Sequence, residues 1–426
     1  MTITEKPKEL QDNRKRVFTA TAVGLVIWTV YNVIFVISIF PTGLYWVSYY
    51  VADYDFGFVR RGLAGEMIEL FPAEHYFAAN HAMLWISIGV WLGALAVLMR
   101  VILKAGTGSE RRTMLALLVP ALPFAVSYAV YSPRPELFAM AALLAFAVAV
   151  TFTSGRRPRI VLSALYGGAI AILAFVHEAI PLLLALGAVL AVLVLAKDLP
   201  SVVQRWCIVL AVGPGLVASL LVAAFGRLDT AAQLCGQVPH GMLENPYAVA
   251  AVSPQHALEY MLGRVESQTD YHDWVCPNVI AMLDSNFIGG VSSVWQLGAP
   301  ALAGSFVFGL LFLVATVWSI GYLSGTSAAA YYEQFRGSLL LPTLALLLTV
   351  PVFATGFDWI RWWVVITFDV ALAFILFAVR RPEIEQPPTG KHRRLFVIAV
   401  VVLALLPTAT GAAPHFGGAS FAITDG

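Results

Sequence analysis

The stretch Val51–Phe71, VADYDFGFVRRGLAGEMIELF, decides how this chain is read. It follows the first strongly apolar segment and gathers Asp53, Asp55, Arg60, Arg61 and Glu66. The chain of 426 residues is only 12% charged and 59% hydrophobic, with a mean hydropathy of +0.80. A soluble domain carries about 25% charged residues. Most of this chain therefore avoids water, and the composition specifies an all-α polytopic membrane protein. The net charge of +1 gives no nucleic-acid footprint, and no basic helix presents base-reading side chains. The polar, basic start MTITEKPKELQDNRKR has no small-residue cleavage site after a short apolar core. It reads as a tail, residues 1–16, before a retained first helix.

A membrane span needs about 20 mostly apolar residues. Eleven stretches are candidates: 17–40, 82–104, 113–131, 136–153, 160–176, 179–196, 206–225, 299–323, 337–355, 362–379 and 395–411. The breaks at SPRPE and HE are short, and proline in the first favours a helix end. Lysine and arginine set orientation. With the N-terminus inside and the C-terminus outside, 20 of the 26 basic residues fall on the inner side. The six left outside are Arg60, Arg61, Arg134, Arg227, Arg264 and Arg361, and five of them have acids close in sequence. The inner loops read as ordinary anchors. The chain divides into an N-terminal module 17–225 with a first outer loop 41–81, a large outer loop 226–298, C-terminal helices 299–411 and an outer tail 412–426.

In the opening stretch Leu63, Met67 and Leu70 share one helical face, which suits a short amphipathic helix lying in the outer interface. Gly57, Gly62 and Gly65 allow tight turns or a close backbone approach. The charges there could simply be Arg–Asp pairs that fix topology. They could also form an anion site, since arginine grips phosphate bidentately and a nearby carboxylate can serve as a base. YSPRPEL places Arg134 and Glu136 at a helix junction, and FVHEAI places His177 and Glu178 at another. GFDWIRWW brings Asp358 and Arg361 together at a spacing that permits an i,i+3 pair. Each of these could be a satisfied junction pair or a contact to substrate. Asp369 lies near the middle of a span, and one intramembrane acid without a matching base is a thin basis for a proton relay.

Loop 226–298 holds Cys235 and Cys276, which an oxidising compartment would allow to pair. SPQHALEYMLGRVE reads as a helix, with Ser253 as cap, Pro254 in the first turn, and Ala257, Tyr260, Met261 and Arg264 at helical spacing. His240, Asp270, His272 and Asp273 are metal-ligand types without a defensible ligand spacing, so no metal site is assigned. A divalent metal stays open, and no other cofactor is indicated. Phosphate-loop, dinucleotide and GxSxG motifs are absent from the sequence.

The layout resembles the GT-C superfamily, integral-membrane glycosyltransferases that use polyprenyl-phosphate-linked sugars. There, a first transmembrane helix precedes an outer loop with an acidic motif and interfacial helices, and DYDFGFVRRG occupies that position here. The family's motif is often two adjacent acids; here Tyr54 separates Asp53 from Asp55. The larger soluble C-terminal domain of familiar members is missing. The resemblance implies Asp55, or else Asp53, as the base that activates the acceptor. It also implies that Arg60, Arg61, Arg134 and Arg361, with Glu136, His177, Glu178 and Asp358, form the lipid-phosphate and substrate site. The implied partners are a polyprenyl-phosphate-sugar donor, a glycan, lipid or protein acceptor, and membrane lipid. The implied location is a bacterial plasma membrane, with the active face toward the periplasm or exterior. The rivals are a transporter or flippase of a lipid-linked or anionic solute, a polysaccharide polymerase or ligase, and a non-catalytic subunit.

Overall fold

A computed structural model describes residues 6–406 apart from Thr42 and Thr107. The described chain is helical except for a two-stranded antiparallel ribbon, in which Met242–Glu244 pairs with Gln268–Asp270. Seven helices are long and apolar enough to cross a membrane: Lys15–Ile39, Ala73–Lys104, Glu110–Tyr131, Arg156–Val176, Ser201–Phe225, Ala299–Ser324 and Trp359–Val379. The first helix starts at Lys6 and so takes in residues 6–16 of the expected tail.

Eleven full-length spans are not found among the described residues. Glu136–Phe152, Ile180–Leu195 and Leu340–Thr355 are apolar but shorter. At 1.5 Å per residue each is about 25 Å long, against a hydrocarbon thickness of about 30 Å. The eleventh stretch is represented by Gly390–Ala404, with its C-terminal part and the expected tail 412–426 outside the described residues. The first two short helices explain themselves by position. Ile180–Leu195 is buried along nearly its whole length, and most of Glu136–Phe152 is buried too. Their apolar character serves helix neighbours rather than lipid, and hydropathy alone does not separate these roles.

Burial orders the bundle. In the most apolar window of Trp359–Val379, 89% of residues are buried, against 17% for Lys15–Ile39. The first helix is peripheral and the helix from Trp359 is central. Close pairs are built on glycine. Gly167 of Arg156–Val176 sits against the Leu210 carbonyl of Ser201–Phe225, where a Cβ would overlap it. Gly309 of Ala299–Ser324 likewise receives the Trp363 ring. Small residues let helix backbones approach where lipid supplies no hydrophobic drive to pack.

In the opening stretch, helix Gly62–Glu69 forms, but its buried face is not the expected one. Ala64, Gly65 and Ile68 are buried, while Leu63 and Met67 are half-buried and Leu70 is 83% exposed. The backbone explains this. The Gly65 N–H donates to the Ala52 carbonyl at 2.8 Å, and any Cβ at Gly65 would collide with that carbonyl. The helix docks through its smallest residues. The later helix Phe287–Gln296 is the more exposed amphipathic element, with Phe287, Ile288 and Trp295 on its open side.

Helix Pro254–Met261 has Ser253 as its cap, whose Oγ accepts from His256 N at 3.2 Å. It ends before Arg264. Cys235 and Cys276 are joined in a disulfide, and Cys207 is a buried free thiol.

Candidate functional site: a buried arginine cluster at four helix starts

Proline and extended backbone break the chain where the charged residues stand. Pro133 and Pro135 flank Arg134 and end the helix at Tyr131, so that Glu136 opens the next one. His177 adopts an extended conformation, and the helix resumes at Ile180. Asp358 immediately precedes Trp359–Val379 but makes no cap bond with its side chain. Arg61 precedes Gly62–Glu69 with φ of 66°. It is the one non-glycine residue at positive φ among the described residues. The left-handed conformation crowds Cβ against the backbone and costs such a residue about 1–2 kcal/mol unless its surroundings hold it. Here an ion pair to Glu178 does so.

These junctions meet. Arg61 Nε and Nη2 donate to Glu178 Oε2 and Oε1 at 3.2 and 3.3 Å. Arg134 Nη1 donates to Asp358 Oδ2 at 2.9 Å. Arg361 Nη1 lies 3.2 Å from the same oxygen, and its Nη2 lies 3.8 Å from Glu136 Oε1. The i,i+3 pair of Asp358 and Arg361 therefore forms. Arg134 reaches across the bundle to Asp358 and not to its sequence neighbour Glu136. Aromatic rings wall the cluster. Arg134 sits 4.7 Å from the Trp46 and Tyr49 ring centres and 5.5 Å from Tyr45. His177 stacks on Tyr49 at 6.0 Å. The Arg134 side chain is 4% exposed, so its cation–ring contacts are desolvated and strong, and that of Arg361 is 1% exposed.

Several buried polar atoms here have no hydrogen-bond partner: Arg134 Nε, Arg361 Nε, Glu136 Oε2, His177 Nδ1, Tyr50 Oη and Ser132 Oγ. Buried polar groups are normally paired, and such a concentration marks a place built for something else. Burial opposes ionisation of Glu178, but Arg61, with His177 and Arg60, outweighs it and holds the carboxyl well below its usual range. Burial, then Arg61, pushes the His177 imidazole below its usual range, so it is neutral near pH 7.

The acids of the opening stretch stand apart from this cluster. Asp55 is exposed and accepts from Gln237 Nε2 at 2.8 Å. Asp53 is buried, and its Oδ1 accepts the Asp55 N–H at 3.0 Å. The expected pairing of Arg60 and Arg61 with these acids is not found. Arg60 turns to the carbonyls of Met282 and Ser285, leaving its Nε unpartnered, and Arg61 turns to Glu178. The reason lies in the backbone: the turn at Gly57, with φ of 108°, and the left-handed Arg61 send the two halves of the loop to different neighbours. Burial, then the charges of Asp55 and Glu66, raise the Asp53 carboxyl above its usual range despite the Asp55 N–H bond. Asp53, Asp55 and Glu69 lie close enough to share a cation.

Residues that sequence reasoning missed are Tyr45, Trp46, Tyr49 and Tyr50. The run YWVSYY carried the signal, but interfacial aromatics are too common in membrane proteins to single it out. Of these, Trp46 lines a cavity of about 330 Å³, with Val36, Ile37, Leu44, Trp85 and Ile88 among its apolar walls and His81, Glu244 and Gln268 as its polar ones. Trp46 thus borders both the cavity and Arg134. Ile37 and Trp85 are 53% and 38% exposed, which makes the cavity's outer wall part of the bundle surface.

No solved structure matches the chain. It is 51% identical over 415 residues to the uncharacterized proteins Rv1490 of Mycobacterium tuberculosis (strain H37Rv) and Mb1527 of Mycobacterium bovis. These alignments cover 97% of this chain and 95% of each relative. The family described as uncharacterised membrane protein Rv1490 matches residues 18–404. A multi-pass chain whose relatives are mycobacterial, with its charged helix junctions folded into one arginine cluster, belongs to the Rv1490 membrane-protein family.

Proposed function

We propose that the protein is a membrane glycosyltransferase of the GT-C type, which transfers a sugar from a polyprenyl-phosphate carrier to an acceptor at the outer membrane face. The observation that carries this is the position of Trp46, which lines a mostly apolar cavity and supports Arg134. An amphiphile with an anionic head and a long apolar tail matches that pairing. Four helices begin at the cluster, at Gly62, Glu136, Ile180 and Trp359, and add the positive ends of their dipoles to the arginines.

In the reaction, the acceptor hydroxyl gives its proton to a base while its oxygen bonds the anomeric carbon. The bond from that carbon to the phosphate oxygen breaks, with inversion, and the lipid phosphate leaves. Arginine stabilises the charge that develops on the leaving phosphate and does not lose its own proton. Asp55 or Asp53 is the proposed base. His177, neutral and with a free Nδ1 inside the cluster, is the competing one. The short helices 136–152, 180–195 and 340–355, together with 390–404, complete eleven crossings in this proposal, with the N-terminus inside and the face active in transfer toward the periplasm or exterior.

The test uses purified protein in nanodiscs with polyprenyl-phosphate sugars labelled in the sugar. Release of unlabelled lipid phosphate with transfer of the label supports the proposal. Loss in Asp53→Asn or Asp55→Asn with retention in His177→Gln assigns the base to the loop, and the reverse assigns it to His177. Label that crosses the bilayer still attached to lipid would instead establish a flippase.

A further inference from the structure

The 226–298 segment holds a second constellation of chemistry-bearing side chains. His240 Nδ1 lies 3.1 Å from Asp270 Oδ1, and His272 Nδ1 lies 3.0 Å from Asp273 Oδ1. The two imidazole rings are stacked with centres 4.2 Å apart. One ligand atom from each of the four residues lies within 4.8 Å of all the others.

The fold brings these residues together from distant positions. The ribbon pairs Met242 with Asp270, which sets His240 beside the start of helix Tyr271–Asn278. Asp270 caps that helix: its Oδ1 accepts from Asp273 N and its Oδ2 accepts from Gly241 N, both at 3.2 Å. Helical geometry then holds His272 and Asp273 in the first turn. The Cys235–Cys276 disulfide ties this helix to Ala231–Gln237. The backbone scaffold is thus fixed on three sides before any ligand arrives.

We propose that His240, Asp270, His272 and Asp273 form a four-ligand site for a divalent transition-metal ion. Two imidazoles and two carboxylates suit zinc, and tetrahedral zinc with bonds near 2.0–2.1 Å sets its donor atoms about 3.3 Å apart. Side-chain adjustments of about an ångström close the present group to that spacing. Magnesium and calcium, which take oxygen ligands, are poorly matched. The disulfide keeps the Cys235 and Cys276 sulfurs from acting as thiolate ligands. The site also has a route to the arginine cluster: Trp274, on the same helix, meets the Tyr45 ring at 6.1 Å, and Arg134 Nη2 donates to Tyr45 Oη at 3.5 Å.

The experiment is a Co²⁺ titration of the full chain, without a polyhistidine tag, stripped with chelator and held in nanodiscs. We expect one equivalent to bind with the intense visible absorption of four-coordinate cobalt, and Zn²⁺ to displace it. His240→Ala should weaken binding by more than about tenfold and His272→Ala at least as much. His256→Ala, in the same segment but outside the group, should leave it unchanged. Alkylation in denaturant that labels Cys207 alone would show that each variant keeps the disulfide. The His240 side chain is 68% exposed, so its variant carries the test even where His272→Ala fails to fold. Absence of saturable Co²⁺ binding, or undiminished binding in the His240→Ala/His272→Ala double variant, would overturn the proposal.

Discussion

Buried arginines stand at both ends of the same two helices, and they are used differently. At the start of Glu110–Tyr131, Arg112 donates to the carbonyls of Ile102 and Val379 at 3.1 and 2.9 Å and to Glu385 at 2.6 Å. Arg111 donates to the carbonyls of Gln386, Tyr322 and Leu323. Most of these carbonyls lie in the last turns of helices, which a helix leaves without partners, and that of Gln386 lies in a loop. The arginines there close the fold, and they are far more than the membrane anchors their sequence positions imply. At the opposite end, Arg134 and Arg361 face two carboxylates and a wall of aromatic rings, with polar atoms left over. The first end is saturated and structural. The second has unspent hydrogen-bonding capacity, which is what a binding site requires.

The largest effect is expected from Arg112→Ala. It strips partners from two carbonyls and Glu385 at a buried position and should cost about 3–5 kcal/mol, read as a collapse in the yield of folded protein. Arg134→Lys should do the opposite: the folded yield stays near normal, while affinity for polyprenyl phosphate falls about tenfold or more, equivalent to ~1.4 kcal/mol. Normal folding in Arg112→Ala, or collapse in Arg134→Lys with normal ligand affinity in what remains, would break the contrast between the two ends.

A subtler outcome concerns Glu66→Gln. Glu66 Oε1 accepts from Tyr54 N at 3.0 Å, a bond that glutamine can keep. Its negative charge is one of the causes that raise the Asp53 carboxyl. Removing that charge lowers the folded-state value, so the acid limb of the transfer reaction's pH profile should move to lower pH if Asp53 is the base. An unmoved limb excludes Asp53. The smallest effect is expected from Asp369→Asn. Asp369 is fully buried beside Gly187 with no basic partner, and it plays no part in the proposed transfer. Transfer should be unchanged. Loss of activity with normal folding would draw the site toward the bundle centre and favour transport.

Particular residues show how far the sequence could be read. Asp358 and Arg361 are three apart on a helix, and their pairing was legible because helical geometry alone brings them together. Ser253 as a cap was legible for the same local reason. The pairing of Arg61 with Glu178 spans 117 positions, and that of Arg134 with Asp358 spans 224. No local rule reaches that far. Nor did sequence reveal that His240 meets Asp270 and lies against His272, since that depends on the register of a ribbon three residues long.

By itself, the sequence determined that this chain is a helical membrane protein, where most of its apolar helices begin and end, and which charged residues stand at the breaks between them. Those properties follow from hydrophobic run length, proline and charge, which act over a few turns. The tertiary structure decided which apolar helices are sheltered by protein, which carboxylate each arginine meets, and that the acids of DYDFGFVRRG part from its arginines. Burial and ion pairing depend on how helices far apart in the chain pack together, and a left-handed residue such as Arg61 is held there only by the partner that packing supplies.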